Sequence, residues 1–317
     1  MWMRDSFWQS FAITDAVEQR MITRFESKQS SNNLPYTIHS DNAAFGNHDE
    51  STLFYMIRAY YDKLVRGLTV STTAYTNALT YITSKVTNDE YRISNVTADT
   101  WCDSFKFTIG SYSSYNQGLY CVALRCAQRL GLSVSESTIT NAIAKYEALY
   151  DTTNTYIKFA SDKAMVSPDA LVGEALNLFL FNQPLLSNTA VNNHINYLLK
   201  NNVSPVGLKI LVNDDKSYLL TTDFNPTQLQ GDYQNGGSWY LYEFLAYYAG
   251  YYHGYPGSYA LMQNRNNQEI SFRSTSHEYL ATLPSLGTFG TEDPIRHVYS
   301  WNAAYLLFKP PARQPVI

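Results

Sequence analysis

Apolar residues recur at three-to-four spacing along most of this chain, and that period limits its fold more than any other feature. After Asp5 and Ser6, either of which can cap a helix start, the stripe runs Phe7, Trp8, Phe11, Ala12, then Met21, Ile22 and Phe25. A second stripe follows Asp49 through Leu53, Phe54, Ile57, Tyr60, Tyr61 and Leu64. The spacing predicts further helices over 72–86, 135–150, 187–200, 238–250, 255–268 and 298–308. Another carries Leu119, Val122, Ala123, Cys126 and Leu130 and stops at Gly131, a C-cap residue. Ser167-Pro168-Asp169 opens one more, with Pro in the first turn, through Leu171, Ala175, Leu178 and Phe179. The sum is about ten helices, most of roughly 12 to 20 residues. No strand–helix alternation appears, which argues against a doubly wound sheet. An all-α chain is expected, with no linker and one domain over 1–317.

Between the helices lie long polar, aromatic loops at 31–48, 88–115, 213–237 and 273–297. Loops of that length inside a compact domain usually carry function. Composition narrows which function. The net charge is -4 and the 23 Lys and Arg are scattered, so no basic stripe awaits a nucleic acid. No run of about 18 apolar residues exists, so no membrane span is expected. The 3 cysteines, Cys102, Cys121 and Cys126, are odd in number, which argues against a disulfide framework. No Cys/His cluster has zinc spacing, and neither metal nor cofactor is expected. The first residues lack the basic flank and apolar core of a signal peptide. Tyrosine is unusually abundant, at 27 copies. A tyrosine offers a flat apolar face and a hydrogen-bonding tip, which suits sugars and also simply fills cores.

Four segments carry candidate chemistry. In Trp2-Met3-Arg4-Asp5-Ser6, a guanidinium fork and a carboxylate can grip hydroxyls, or can form a helix cap with a local ion pair. In Asp99-Thr100-Trp101-Cys102-Asp103, a Trp beside a carboxyl offers a stacking platform and a proton donor whose pKa burial can raise. The plainer reading is a capping Asp. Gln234-Asn235-Gly236-Gly237-Ser238-Trp239 joins amides to glycines that let a ligand approach the backbone, or forms a turn before a helix. Ser276-His277-Glu278-Tyr279, followed by Ser300-Trp301-Asn302-Ala303, sets a Glu where it can activate water, or leaves it in an exposed loop. Asp49 and Glu50 open a predicted helix and suit sugar binding or capping equally.

Taken in this order, the segments resemble the six-hairpin glycosidase superfamily. Trp2-Met3-Arg4-Asp5 resembles its sugar-gripping Arg-Asp, and Thr100-Trp101-Cys102-Asp103 the Thr-Trp-Met-Asp of debranching-type glucosidases. Asn235-Gly236-Gly237-Ser238-Trp239 is similar to the Asn-Gly-Gly-Val-Trp of disaccharide phosphorylases and related hydrolases. Glu278-Tyr279 with Ser300-Trp301-Asn302-Ala303 resembles the ending of processing α-glucosidases and trehalases. The resemblance implies an (α/α)6 barrel, a toroid of paired helices, and spans Trp2 to about Phe308. Such barrels have twelve helices, with at least one before the Trp-Met-Arg-Asp segment. The first helix is therefore expected to be missing, together with an upstream N-terminal region.

The expected activity is inverting hydrolysis of an oligosaccharide or glycoside. Asp103 would be the general acid and Glu278 the base, with carboxyls roughly 6.5–9.5 Å apart. Arg4, Asp5 and Asp49 would hold sugar hydroxyls with Gln234, Asn235, Gly236 and His277. Trp2, Trp101, Trp239 and Trp301 would form stacking walls. Three rivals stand beside this reading. A disaccharide phosphorylase would need a cluster of basic or amide donors for phosphate. An epimerase or lyase would rely on His and Tyr, and only 6 His occur. A non-catalytic sugar-binding protein would lack a correctly spaced carboxylate pair.

Overall fold

The computed structural model describes residues 2–46, 48–97, 99–271, 280 and 282–283. Its helices are α1 (Met3–Ser10), α2 (Asp15–Glu26), α3 (Asp49–Tyr60), α4 (Thr72–Ser84), α5 (Ser114–Arg129), α6 (Glu136–Glu147), α7 (Val172–Phe181), α8 (Asn188–Asn201), α9 (Tyr240–Tyr252) and α10 (Ser258–Ser271). The segment 298–308 lies outside the described residues.

Burial sorts these helices into two sets. In α3 every residue from Asp49 to Ala59 is buried, and in α9 every residue from Tyr240 to Gly250. The even-numbered helices bury one stripe only: Glu18, Ile22 and Phe25 in α2, Ile139, Ala142 and Tyr146 in α6. A helix covered on all sides belongs to an inner layer, and one with a single apolar stripe to an outer layer. The packing agrees. Helices α1, α3, α5, α7 and α9 lie side by side in that order, while α4 covers α3, α6 covers α5 and α10 covers α9. The result is an all-α toroid.

Two glycines set the spacing of the inner layer. A Cβ on Gly173 of α7 would fall 2.3 Å from the Gly118 Cα of α5. Only a pair without side chains permits that approach.

Serines cap the outer helices as their sequence suggests. Ser71, Ser135 and Ser187 each accept a hydrogen bond from a backbone N–H three residues on. Neither Asp5 nor Ser6 caps α1. The helix begins earlier, at Met3, with Trp2 in extended conformation before it. The first apolar stripe also breaks between α1 and α2. There Arg66 donates from Nη1 to the Ser10 carbonyl (2.8 Å) and from Nη2 to that of Ile13 (3.1 Å), ending α1 with a partner from a distant turn.

The inner helices begin at the same end of the ring: Arg4, Glu50, Tyr115 and Tyr242, from the first turns of α1, α3, α5 and α9, converge on one another there. The long loops knit together above them. Met3 N donates to the Tyr36 carbonyl (2.8 Å), Lys106 N to that of Asp223 (2.8 Å), and Asn225 N to that of Ser104 (2.7 Å). Strands among the described residues are limited to antiparallel pairs two residues long, such as Thr37–Ile38 with Ala44–Phe45. Among the described residues no helix is long and apolar enough to cross a membrane.

Candidate functional site

A cleft of about 520 Å³ opens where these loops meet. Its walls include Trp2, Tyr36 and His48, with Thr37, His39, Asp103, Ser104 and Asn225 as polar lining and Gly46 and Pro226 at the turns. The Tyr36 and His48 rings stack face to face, centroids 3.5 Å apart and 4° from parallel. Trp2, 44% exposed, meets the Tyr36 ring edge-on at 4.7 Å. Gly46 adopts a positive φ of 76°, which lets the loop double back over Tyr36.

Asp103 is the carboxylate of this wall. Its Oδ1 accepts from Gln234 Nε2 at 2.9 Å, and its Oδ2 from the Tyr36 hydroxyl at 3.3 Å. Gln234 is itself fixed. Its amide donates to the Trp101 carbonyl at 3.2 Å, and its Oε1 accepts from Ser104 N at 3.2 Å and from the Ser104 hydroxyl. A buried amide with both ends engaged has one orientation, so Asp103 is held in one orientation too.

Behind the wall lies a buried charge pair. Arg4 is 7% exposed and donates from Nη1 to Glu50 Oε1 at 2.6 Å. Asp5 sits beside it, with Oδ1 3.9 Å from Arg4 Nε. Burial pushes the Glu50 carboxyl up to about 7, against the pull of Arg4 and with the help of Asp103's charge. Burial also lowers His48 to about 4, and Arg4 adds to that. His48 is thus neutral at ordinary pH, and its buried Nδ1 makes no hydrogen bond among the described residues.

The remaining expected residues fall elsewhere. Trp101 and Trp239 are fully buried, pack edge-to-face at 5.0 Å, and rest on Tyr242. Trp101 donates from Nε1 to Asp169 Oδ2 at 2.5 Å, and burial raises Asp169 to about 6. These tryptophans therefore form the core under the loops, and the described aromatic lining consists of Trp2 and Tyr36. Asp49 belongs to a separate cluster, accepting from Tyr81 (2.5 Å) and Ser94 (3.0 Å) and paired with Lys85 (3.1 Å). Asn235 donates to the Leu219 and Gln228 carbonyls and is buried. The missing side chain of Gly236 leaves room for the Tyr218 ring, whose Cδ1 is 2.3 Å from where a Cβ would sit. That glycine serves packing. Asp99 is a local cap, accepting from Ser94 N (2.6 Å) and Asn95 N (2.7 Å). His277, Glu278 and Trp301 lie outside the described residues.

The structure thus places Trp2 and Asp103 on one cleft, with the buried Gln234 holding Asp103 from behind and Arg4 and Asp5 beside them. Tyr36 and His48 were not foreseen. Both sit in the loop 31–48, whose length was the available signal. Among the described residues no group of three His, Cys, Asp or Glu can hold a metal ion.

No protein-family model and no curated sequence matches the chain. Solved structures do. An uncharacterized conserved protein from Thermus thermophilus is similar at TM-score 0.64 and 13% identity, covering 97% of this chain and 92% of that one. The GH63 mannosylglycerate hydrolase of the same organism, in complex with Tris and D-glycerate, follows at TM-score 0.63 and 12% identity, with the same 97% and 92% coverage. A structure described as a wild-type glycosidase matches at TM-score 0.61 and 13% identity, covering 97% of this chain and 86% of that one. At such identities the likeness speaks to architecture: this chain folds as an all-α toroid of the kind found in solved glycosidases.

Proposed function

We propose that this chain is a glycoside hydrolase of the six-hairpin type. In this reading it acts by inversion on a neutral, glucoside-like substrate, with Asp103 as general acid and Glu278 as general base. The observation that carries the reading is Asp103 itself, a partly exposed carboxylate fixed on the wall of a cleft by Tyr36 and Gln234. A scaffold protein has no need to fix one carboxylate rotamer through a second layer of buried hydrogen bonds. The Tyr36 hydroxyl suits an acid that alternates between two states. It donates to the ionised carboxylate and can turn to accept from the protonated one. Glu278 takes its role from its place in the ordered motifs, and Arg4 and Asp5 from their proximity to the cleft.

Hydrolysis is favoured over phosphorolysis by the charge of the lining. Among the described lining residues no Lys or Arg appears. A phosphate dianion would find no cation there to balance it, whereas water and a neutral sugar need none.

The test is an aryl-glycoside panel, with the first-formed anomer read by proton NMR. Wild type should release sugar of inverted configuration without added phosphate. Asp103→Asn should lose roughly 10²–10⁴-fold on poor leaving groups and less on activated ones, as removal of a general acid does. Glu278→Gln should lose activity on all of them. Near-wild-type rates in Asp103→Asn would sink the assignment of the acid. Release that depends on phosphate would move the protein to the phosphorylases.

A further inference from the structure

We infer that Glu50 is a positioning residue that holds the Arg4 guanidinium against the cleft wall in the orientation in which a sugar is bound; the inference rests on the glycosidase reading above. The two residues come from different helices, Arg4 from the first turn of α1 and Glu50 from the first turn of α3. Their contact is short, 2.6 Å, and both are buried. Such a pair is a poor means of stabilising a fold. Taking both charges out of water costs about as much as their attraction returns, and an apolar pair of similar size usually does as well. What the pair does supply is direction. Arg4 Nη1 is bound to Glu50, while the guanidinium lies 5.9 Å from the centre of the Tyr36 ring and Nε lies 3.9 Å from Asp5. Tyr36 in turn donates to Asp103. Glu50 therefore stands behind the residues that would grip the sugar and one step further from the acid.

Every element packed around Glu50 contributes a titratable group. Arg4 and Asp5 come from α1, Tyr36 and Asp103 from the loops, Tyr115 from α5 and Tyr242 from α9. Burial drives all three tyrosines upward, so they stay neutral across the working range. Glu50 is pushed up to about 7, so its charge changes near neutrality. Above that pH it is ionised and pins Arg4. Below it, the carboxyl is neutral and the hold weakens. The competent fraction should rise from roughly a tenth near pH 6 to nine tenths near pH 8, and apparent affinity should follow it.

The test uses the whole chain, with glucose as probe and tryptophan fluorescence as readout, in a His39→Gln background that removes the rim imidazole. With Glu50 intact, glucose should bind about tenfold tighter near pH 8 than near pH 6. Glu50→Gln keeps the shape and an acceptor for Arg4 but has no charge to gain. It should bind weakly and equally at both pH values, even though leaving Arg4 without its counter-charge lowers the melting temperature. Should Glu50→Gln fail to fold, Arg4→Gln serves instead, since it leaves no cation for Glu50 to pin; it should lose the same pH slope, and a slope that survives overturns the inference. A Glu50→Gln protein that keeps the affinity and the slope overturns the inference, as does a pH-independent affinity when Glu50 is intact. With a merely structural Glu50, the variant would keep the slope whatever its melting temperature. Absence of any glucose signal with Glu50 intact at either pH is a different failure, because it removes the glycosidase reading itself.

Discussion

Tyr36 joins three functions on one side chain. Its ring stacks on His48, its edge meets Trp2, and its hydroxyl reaches Asp103. Removing the hydroxyl alone isolates the last of these. A hydrogen bond to a charged group contributes about 1.5–3 kcal/mol, and about 1.4 kcal/mol is a factor of ten in rate. Tyr36→Phe should therefore lower kcat on an aryl glycoside roughly tenfold or more while the stack keeps the melting temperature near wild type. A kcat unchanged within twofold would remove Tyr36 from the machinery. At this scale the sequence was readable where a residue's chemistry is unambiguous. Arg4, Asp103 and Gln234 stand out as polar groups in aromatic loops, and the structure brings them to or behind the cleft. Trp101 and Trp239 do not separate in the same way. A tryptophan in a polar loop reads alike whether it faces a sugar or the core, and only the indole N–H partner, Asp169 for one and the Tyr233 carbonyl for the other, shows the second outcome. The Tyr36–His48 stack was illegible for a different reason. Loop residues twelve positions apart have no period that would bring them together.

Among the elements, the helices were legible because inner and outer layers bury different fractions of their surface. The breadth of the apolar pattern in α3 and α9 against the single stripe of α2 or α6 is a sequence feature with a packing meaning. The break between α1 and α2 was not legible, since Phe11 and Ala12 continue the helical period and the group that ends α1 is Arg66, more than fifty residues away. The contact between α5 and α7 is the most sensitive packing point. Gly173→Ala places a methyl 2.3 Å from the Gly118 backbone, and neither helix can yield without moving its neighbours. Overpacking of this kind costs about 1–3 kcal/mol or more, so the variant should melt several degrees lower by circular dichroism. An unchanged melting temperature would mean that the two helices separate more easily than their burial suggests.

For the whole molecule, buried titratable groups set how stability varies with pH. Burial and the neighbouring Glu18 raise Asp62 to about 8 from an ordinary 3.8, and burial raises Glu50 to about 7 from 4.5. The folded chain then holds protons that the unfolded chain has already released. The stability these groups contribute is complete at low pH and is lost as pH rises through their folded values. His48 and His194, both lowered to about 4, act in the opposite sense, but only below their ordinary 6.5. Between pH 6.5 and 8 the carboxyls prevail, so the melting temperature should fall across that window, and Asp62→Asn should flatten the fall. A melting temperature that rises there would contradict the burial of these groups. The common orientation of the inner helices has an electrical consequence. Each helix start carries about half a positive charge from its unpaired N–H groups, and those of α1, α3, α5 and α9 meet at one floor. Left alone, that floor would repel the cationic, oxocarbenium-like state through which glycosidic bonds break. Asp5 and Glu50 stand in the first turns of α1 and α3, and Asp169 in the short 3-10 turn before α7, where a carboxylate is favoured by that field. In the proposed glycosidase reading, the acids buried under the cleft are the counter-charge that offsets those helix ends where a developing cation would sit.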